Sequence, residues 1–307
     1  MPLVSLRRTS LIMSAVVGLV AAGCGGGSSA KSTDKAASGS STAASSSAAD
    51  PKIVAELPAD VKSKGTLTVA TDTAFPPMEY VDKDGKTLLG IDPDLAKALA
   101  AVMGLKPVLM GTQFDSILPG LQAGKYDLAM SSFAVTQTRE QVVDMISYFN
   151  AGNSFYISSK ANFTLNKSSD LCGHRIAVLK GSNLATDAIA LAKKCSAKTP
   201  VLQFPSQSDA TLAITAGRAD VSSTSAISAE YIAKQSNGEV KVGLRNYAGT
   251  IPFGVAVKKG SALAKPIRDA FAALIANGTY KQILDKWDAG FAALKSQPEI
   301  NPHTDLT

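Results

Sequence analysis

Histidine is scarce in this chain, with two among 307 residues, and three cysteines and one tryptophan accompany them. His174 is the only histidine near Cys172 and Cys195, and His303 lies near the C-terminus. Neither a metal site with ligand spacing nor a Ser–His–Asp or Cys–His nucleophile set is expected from so few candidates. No metal and no cofactor is therefore predicted. Beyond the N-terminus, no run approaches the roughly 20 apolar residues that span a bilayer. A basic surface interleaved with aromatics is also lacking, since Lys31, Lys35, Lys193 and Lys194 are scattered or lie in tails. That excludes nucleic acid as a partner.

What remains is a chain with 45% apolar and 18% charged residues, ordinary for a globular protein. Its length suffices for one large domain or two ordinary ones with real cores. Residues 1–23 carry Arg7 and Arg8, then the apolar LIMSAVVGLVAA, then small residues. A charged start, a short apolar core and a small-residue break point describe a secretory signal peptide, too short for an anchor. Ala21–Cys24, AAGC, resembles a bacterial lipobox with Ala21 in place of the usual leucine. The resemblance implies cleavage before Cys24 and lipid on its thiol, anchoring the chain to the outer face of the cytoplasmic membrane. Removing Arg7 and Arg8 lowers the 31 basic residues to 29 against 25 acidic, and the charge from +6 to +4.

Residues 24–51 form a linker built almost entirely of Gly, Ser, Ala and Thr. Such a segment buries too little apolar area to offset its ordering entropy. As a coil its 26 residues from 25 to 50 reach roughly 28 Å, enough to hold a domain off a membrane. In an exported chain Cys172 and Cys195 are either bridged, closing 23 residues, or two buried thiols.

From residue 65 onward, short β-rich runs alternate with helical ones. Strands are predicted at 65–70, 107–110, 128–130, 175–179, 201–204, 221–223, 240–242 and 251–257. Helices are predicted at 114–123, 183–194, 208–216, 226–235, 266–276 and 279–287. In GIDPDLAKALAAVMG, Asp92 is placed as N-cap, Pro93 as first helical residue and Gly104 as the stop. Asp92 and Asp94 are thereby read as capping and dipole compensation, not as a catalytic pair. The strand–helix rhythm implies an α/β fold with two parallel-type sheets and ligands beyond the strand C-termini. From Pro298 the chain is expected to be a loose tail.

Order and spacing of several stretches carry a resemblance over about 220 residues. They are GTLTVATDTAFPPMEY, GIDPDLAKALA, FDSILPGLQAGKYDLAMSS, VTQTRE, AVLKGS, TAGRADV, FGVAVKKGSAL and NGTYKQILDKW. Together they resemble the extracellular solute-binding proteins of family 3, which serve polar amino-acid ABC transporters. The resemblance implies a monomeric two-lobed periplasmic-binding-protein fold of type II. Lobe 1 would comprise residues 52–152 plus 253–290, lobe 2 residues 153–252, and residues 291–307 a C-terminal tail. Two hinge crossings, near 150–154 and 250–253, would let the lobes close on a small amino-acid-like ligand for delivery to a permease and its ATPase.

The same resemblance assigns site residues. Arg139 matches the arginine that grips the ligand α-carboxylate in a planar fork. Read from the residues alone, Arg139 is either that anchor or a solvated helix residue pairing with Asp144. Ser131 and Ser132 match assisting positions, and Ser182 and Asn183 open a helix whose free N–H groups favour an anion. Phe75 and Phe114 correspond to the aromatic pair around the ligand side chain, Phe133 to a pocket wall, and Asp72 to an acid at the cleft edge. Ser225 stands where the family usually has the aspartate that binds the α-ammonium. A serine brings no charge, so another acid must serve or the ligand differs. Two rivals remain: a ligand sensor for a separate receptor, and a dehydratase on the same fold.

Overall fold

Residues 49–247 and 249–302 are described in the computed structural model. Cys24, the export segment, most of the linker and His303 lie outside the described residues. Asp50 opens the ordered chain by capping α1 (Pro51–Glu56), accepting from the Lys52 N–H. Asp50, within the expected linker, also donates its own N–H to Val102 O at 2.9 Å. A second short helix, α2 (Ala59–Lys64), leads into β1 (Thr66–Thr71).

Two small hairpins follow, β2 (Ala74–Phe75), β3 (Glu79–Val81) and β4 (Leu88–Leu89), which pair as a three-stranded sheet. Then come α3 (Ile91–Val102), β5 (Lys106–Gly111), α4 (Phe114–Gln122), β6 (Leu128–Ala134) and the single-turn α5 (Gln137–Glu140). The long β7 (Val143–Ser158) crosses to β8 (Ile176–Leu179), α6 (Asn183–Ala192), β9 (Val201–Phe204) and α7 (Gln207–Thr215). The chain continues through β10 (Val221–Ser225), α8 (Ala226–Gln235) and β11 (Val240–Leu244), then returns along β12 (Thr250–Lys258). Two helices close it, α9 (Ala264–Ala276) and α10 (Thr279–Lys286).

The strand order β5-β1-β6-β12-β7-β10-β8-β9 puts two parallel cores at its ends, β5-β1-β6 and β10-β8-β9. Between them β7 and β12 run antiparallel to their neighbours. The sixteen residues of β7 serve both halves. Gly152 still faces Thr250 of β12, whereas Asn153 already faces Ser225 of β10. The two lobes are joined at that register change. Gly152 is obligatory there, since a Cβ would lie 2.1 Å from the Asn246 Oδ1.

Each lobe has its own core. Leu67, Val69, Leu95, Leu99, Met130, Ile146 and Phe271 are among the buried side chains of the first, and Phe155, Ile176, Val178 and Val221 among those of the second. Burial of this kind contributes about 25 cal/mol per Å² of apolar surface, which is why strands without alternation, such as β6, are buried on both faces.

Three sequence expectations need correction. Strand β7 is absent from the prediction, because its polar positions Asp144, Ser147, Asn150, Asn153 and Ser154 break the apolar pattern. The C-terminal tail is not loose up to residue 302. Glu299 O accepts from the Ser147 N–H at 2.9 Å, and Asn301 bonds Met145 and Asp144. Nor is Asp92 an N-cap. Helix α3 starts at Ile91 with Gly90 as its cap. The Pro77 and Met78 carbonyls take the Ile91 and Asp92 N–H groups, so the carboxylate is free to turn inward. Gly90 fits because a Cβ would lie 2.2 Å from Met78 O.

Candidate functional site

The end of β6 and the turn of α5 create one wall. Thr136 caps α5 by accepting the Arg139 N–H at 3.2 Å, which turns the arginine back over the strand end. Arg139 is 9% exposed. Its Nη1 donates to Ala134 O at 2.7 Å and its Nη2 to Gly181 O at 3.4 Å. The guanidinium stands 5.2 Å from the Phe133 ring centre and 5.9 Å from that of Phe114. Those two rings stack on each other at 4.8 Å. Among the described residues no carboxylate pairs with it. Burial lowers its pKa to about 10. Asp144, its alternative partner, is instead 2.9 Å from Lys259.

Facing it is the start of α6. Ser182 is the N-cap, accepting the Ala185 N–H at 3.2 Å and donating to Leu179 O at 2.6 Å. Asn183 follows, and its Nδ2 is buried without an acceptor among the described residues. A cavity of about 380 Å³ separates the walls, lined by Thr136, Thr138 and Arg139 on one side and Gly181, Ser182 and Asn183 on the other. A helix N-terminus and a guanidinium with no carboxylate partner among the described residues line it, an arrangement suited to an anion.

Asp72 lies at the end of β1 and is 2% exposed. Its Oδ1 accepts the Thr73 N–H at 2.5 Å, while Oδ2 is buried with no donor among the described residues. Burial raises its pKa to about 6, against the pull of the Thr73 and Ala74 N–H groups, and the neighbouring Asp115 charge raises it further. Asp115 reaches across to the second lobe, where Lys180 is 2.9 Å away. The lobes also meet through Ser208 Oγ, which donates to Ala74 O at 3.1 Å.

The other expected residues fall into two groups. Phe114 and Phe133 stand against the Arg139 guanidinium, and Phe75 is buried on β2. Ser131 and Ser132 are buried in the same wall, but their polar atoms bond inward: the Ser131 hydroxyl donates to Glu79 and the Ser132 N–H to Asp92. Ser132 holds φ at +47°, a conformation costing of order 1 kcal/mol for a non-glycine residue. Ser225 caps α8, accepting the Ser228 N–H at 3.2 Å, so its hydroxyl is engaged and brings no charge. Thr136, Thr138, Asp115 and Lys180 were not singled out from sequence. The VTQTRE turn points to Thr136 and Thr138, whereas Asp115 and Lys180 lie in the family stretches FDSILPGLQAGKYDLAMSS and AVLKGS. The cysteines are bridged, Cys172 to Cys195, with Cα atoms 5.3 Å apart.

Residues 67–290 match the bacterial extracellular solute-binding proteins, family 3. The chain is 31% identical to the arginine-binding protein ArgT of Corynebacterium glutamicum, covering 77% of itself and 79% of that protein. Among solved structures it resembles an ancestral arginine-binding protein bound to arginine, with a TM-score of 0.68, 34% identity, and coverage of 73% and 98% of the two chains. It also resembles the ancestral amino-acid-binding protein AncCDT-1, described as a precursor of cyclohexadienyl dehydratase, at a TM-score of 0.68 and 30% identity over 74% and 97%. With this two-lobed fold and a polar cleft between its lobes, the chain belongs to the bacterial extracellular solute-binding proteins of family 3, the exported binding components of amino-acid ABC importers.

Proposed function

We propose that this protein binds a basic L-amino acid, arginine first among them, and hands it to a membrane permease driven by its ATPase. One observation carries the reading: Arg139 is buried with no carboxylate among the described residues to neutralise it. A buried charge left alone is expensive by several kcal/mol, and a ligand carboxylate offsets that cost. Oδ2 of Asp72, equally buried and without a donor, suits the cationic end of such a ligand. The arginine-binding names of the relatives support the same choice.

Ser182 and Asn183 assist Arg139 with the carboxylate. Phe75, Phe114 and Phe133 form the apolar surround, and Ser131 and Ser132 the adjoining wall. Ser225 is neutral and capping, so the α-ammonium draws on carbonyl and hydroxyl acceptors in place of a lobe 2 aspartate. Lobe bounds near residues 152–153 and 250–253 are supported by the partner change along β7. Lipid on Cys24 would keep the carrier beside its permease as a monomer. The role is binding and not catalysis, because the groups facing the cavity are donors that hold an anion in place.

Differential scanning fluorimetry of the exported chain tests the reading. L-Arginine at about a hundred times its Kd should add roughly 2.7 kcal/mol of stability. Agmatine, which lacks the carboxylate, should add almost none. A melting temperature unmoved by arginine, lysine and histidine would overturn the assignment.

A further inference from the structure

Beneath the cleft wall, two carboxyl groups that no ligand contact uses are buried against each other. Glu79, on β3, is fully buried, and Asp92, in the first turn of α3, is 1% exposed. Asp92 collects donors. Its Oδ1 accepts the Tyr148 hydroxyl at 2.8 Å, and its Oδ2 accepts the Ser132 N–H at 2.8 Å. Glu79 Oε1 accepts the Ser131 hydroxyl at 2.6 Å, and that hydroxyl in turn accepts the Asp72 N–H at 3.1 Å.

Glu79 Oε2 is the exception. It is buried with no donor among the described residues, yet Glu79 is within hydrogen-bonding reach of Asp92. The ionisable groups acting on the pair are Asp72, just after β1, and Tyr148, from β7; among the described residues no salt bridge reaches either carboxyl. Two ionised carboxylates in contact, without a cation, repel each other strongly. A single proton on Glu79 Oε2 removes both that repulsion and the orphaned oxygen. Burial first, and then the charges of Asp92 and Asp72, push Glu79 well above the usual carboxylate range. Asp92 is also raised by burial, but the donated bonds of Tyr148, Glu79 and Ser132 hold it down.

We propose that Glu79 is a neutral carboxylic acid in the folded protein, its O–H donating a hydrogen bond to an ionised Asp92, and that the pair positions Ser131 and Ser132 in the cleft wall. Both serines are tied to it directly, and Ser132 needs such a tie to keep φ at +47°. Tyr148 extends the chain of bonds into β7, four residues before Gly152. Glu79 and Asp92 are therefore positioning residues. Their effect on affinity rests on the ligand site proposed above, whereas their protonation does not.

The infrared spectrum of the ligand-free protein at neutral pH tests the protonation. It should contain the carbonyl band of a buried carboxylic acid, and Glu79→Gln should remove that band. An amide donates and accepts where the acid does, so Glu79→Gln should leave the Ser131 and Ser132 amide resonances in place. Glu79→Ala and Asp92→Ala should move them. In calorimetric titrations with L-arginine, Glu79→Gln should stay within about threefold of the parent, while Asp92→Ala weakens binding at least about tenfold. A band that is missing from the parent, or that survives Glu79→Gln, overturns the neutral acid. Equal displacement of the serine amides in Glu79→Gln and Glu79→Ala overturns the positioning role. Arginine failing to bind the parent would count against the ligand assignment alone, since the spectra judge the pair without ligand.

Discussion

The Lys180 ammonium of the second lobe sits 2.9 Å from the Asp115 carboxylate of the first, and the next residue, Gly181, accepts a hydrogen bond from Arg139. The lobes thus meet at the same loop that lines the anion cavity. Gly181 has φ at +77°, and a Cβ there would approach the Asp115 Cβ to 2.9 Å. A side chain at this position would hold the lobes apart and resist the left-handed backbone. Contacts that bridge the lobes in this way favour the form in which they are made.

Gly181→Ala should therefore weaken arginine binding by at least about tenfold, or 1.4 kcal/mol. Asp115→Ala should do less, no more than about fivefold, because Lys180 is 60% exposed and such pairs contribute about 0–1 kcal/mol. Titration calorimetry at low and high salt separates the two: only the Asp115 effect should shrink with salt.

Arg139 sets function against stability. Arg139→Lys keeps the charge but loses the planar fork, so affinity should fall at least about tenfold. Arg139→Met should abolish binding while leaving the ligand-free melting temperature at or above that of the parent, since it removes a buried, unneutralised charge. A markedly lower melting temperature for Arg139→Met would show that the bond to Ala134 O matters more than the charge.

Asp72 gives a pH dependence of known sign. Its pKa is raised to about 6 in the folded chain from its ordinary value of 3.8, so the folded state holds the proton more tightly. Its stabilising contribution is complete below about pH 4 and is lost as pH rises through about 6. Ligand-free stability should decline over that window, and Asp72→Asn should flatten the decline. Arginine affinity should run the other way, improving from pH 5 to 7 as the carboxylate ionises to meet the cation. Denaturant melts and titrations across this range check both slopes.

Cys195 follows the C-terminal end of α6, the opposite end from Ser182. Ten helical residues put about 15 Å between those ends. Replacing both Cys172 and Cys195 by serine should cost about 3 kcal/mol, the loop-entropy value for closing 23 residues. Arginine affinity should change less than about twofold. Chemical denaturation and calorimetry of the double variant read the two effects independently.

Much of the fold was legible because local signals agreed. The runs at 201–204 and 226–235 became β9 and α8 at the same bounds, and Ser182 capped α6 as expected. Strand β7 was illegible, since its polar residues are satisfied by partners remote in sequence, such as Glu299, Asn301 and Lys259. Asp92 was misread for a related reason. A helix-start carboxylate looks like a cap until the Pro77 and Met78 carbonyls take over the N–H groups it would have served.

By itself, then, the sequence determined the alternation of strands and helices, the family and the residue types at the cleft, because periodicity, capping and motif spacing are local properties of the chain. Only the tertiary structure decided that, among the described residues, Arg139 is buried without a carboxylate partner and Asp72 and Glu79 each keep an oxygen without a donor, and that Asp115 meets Lys180 across the lobes. Desolvation and charge compensation depend on what surrounds a group in space, and residues 40 to 65 positions apart supply those surroundings here.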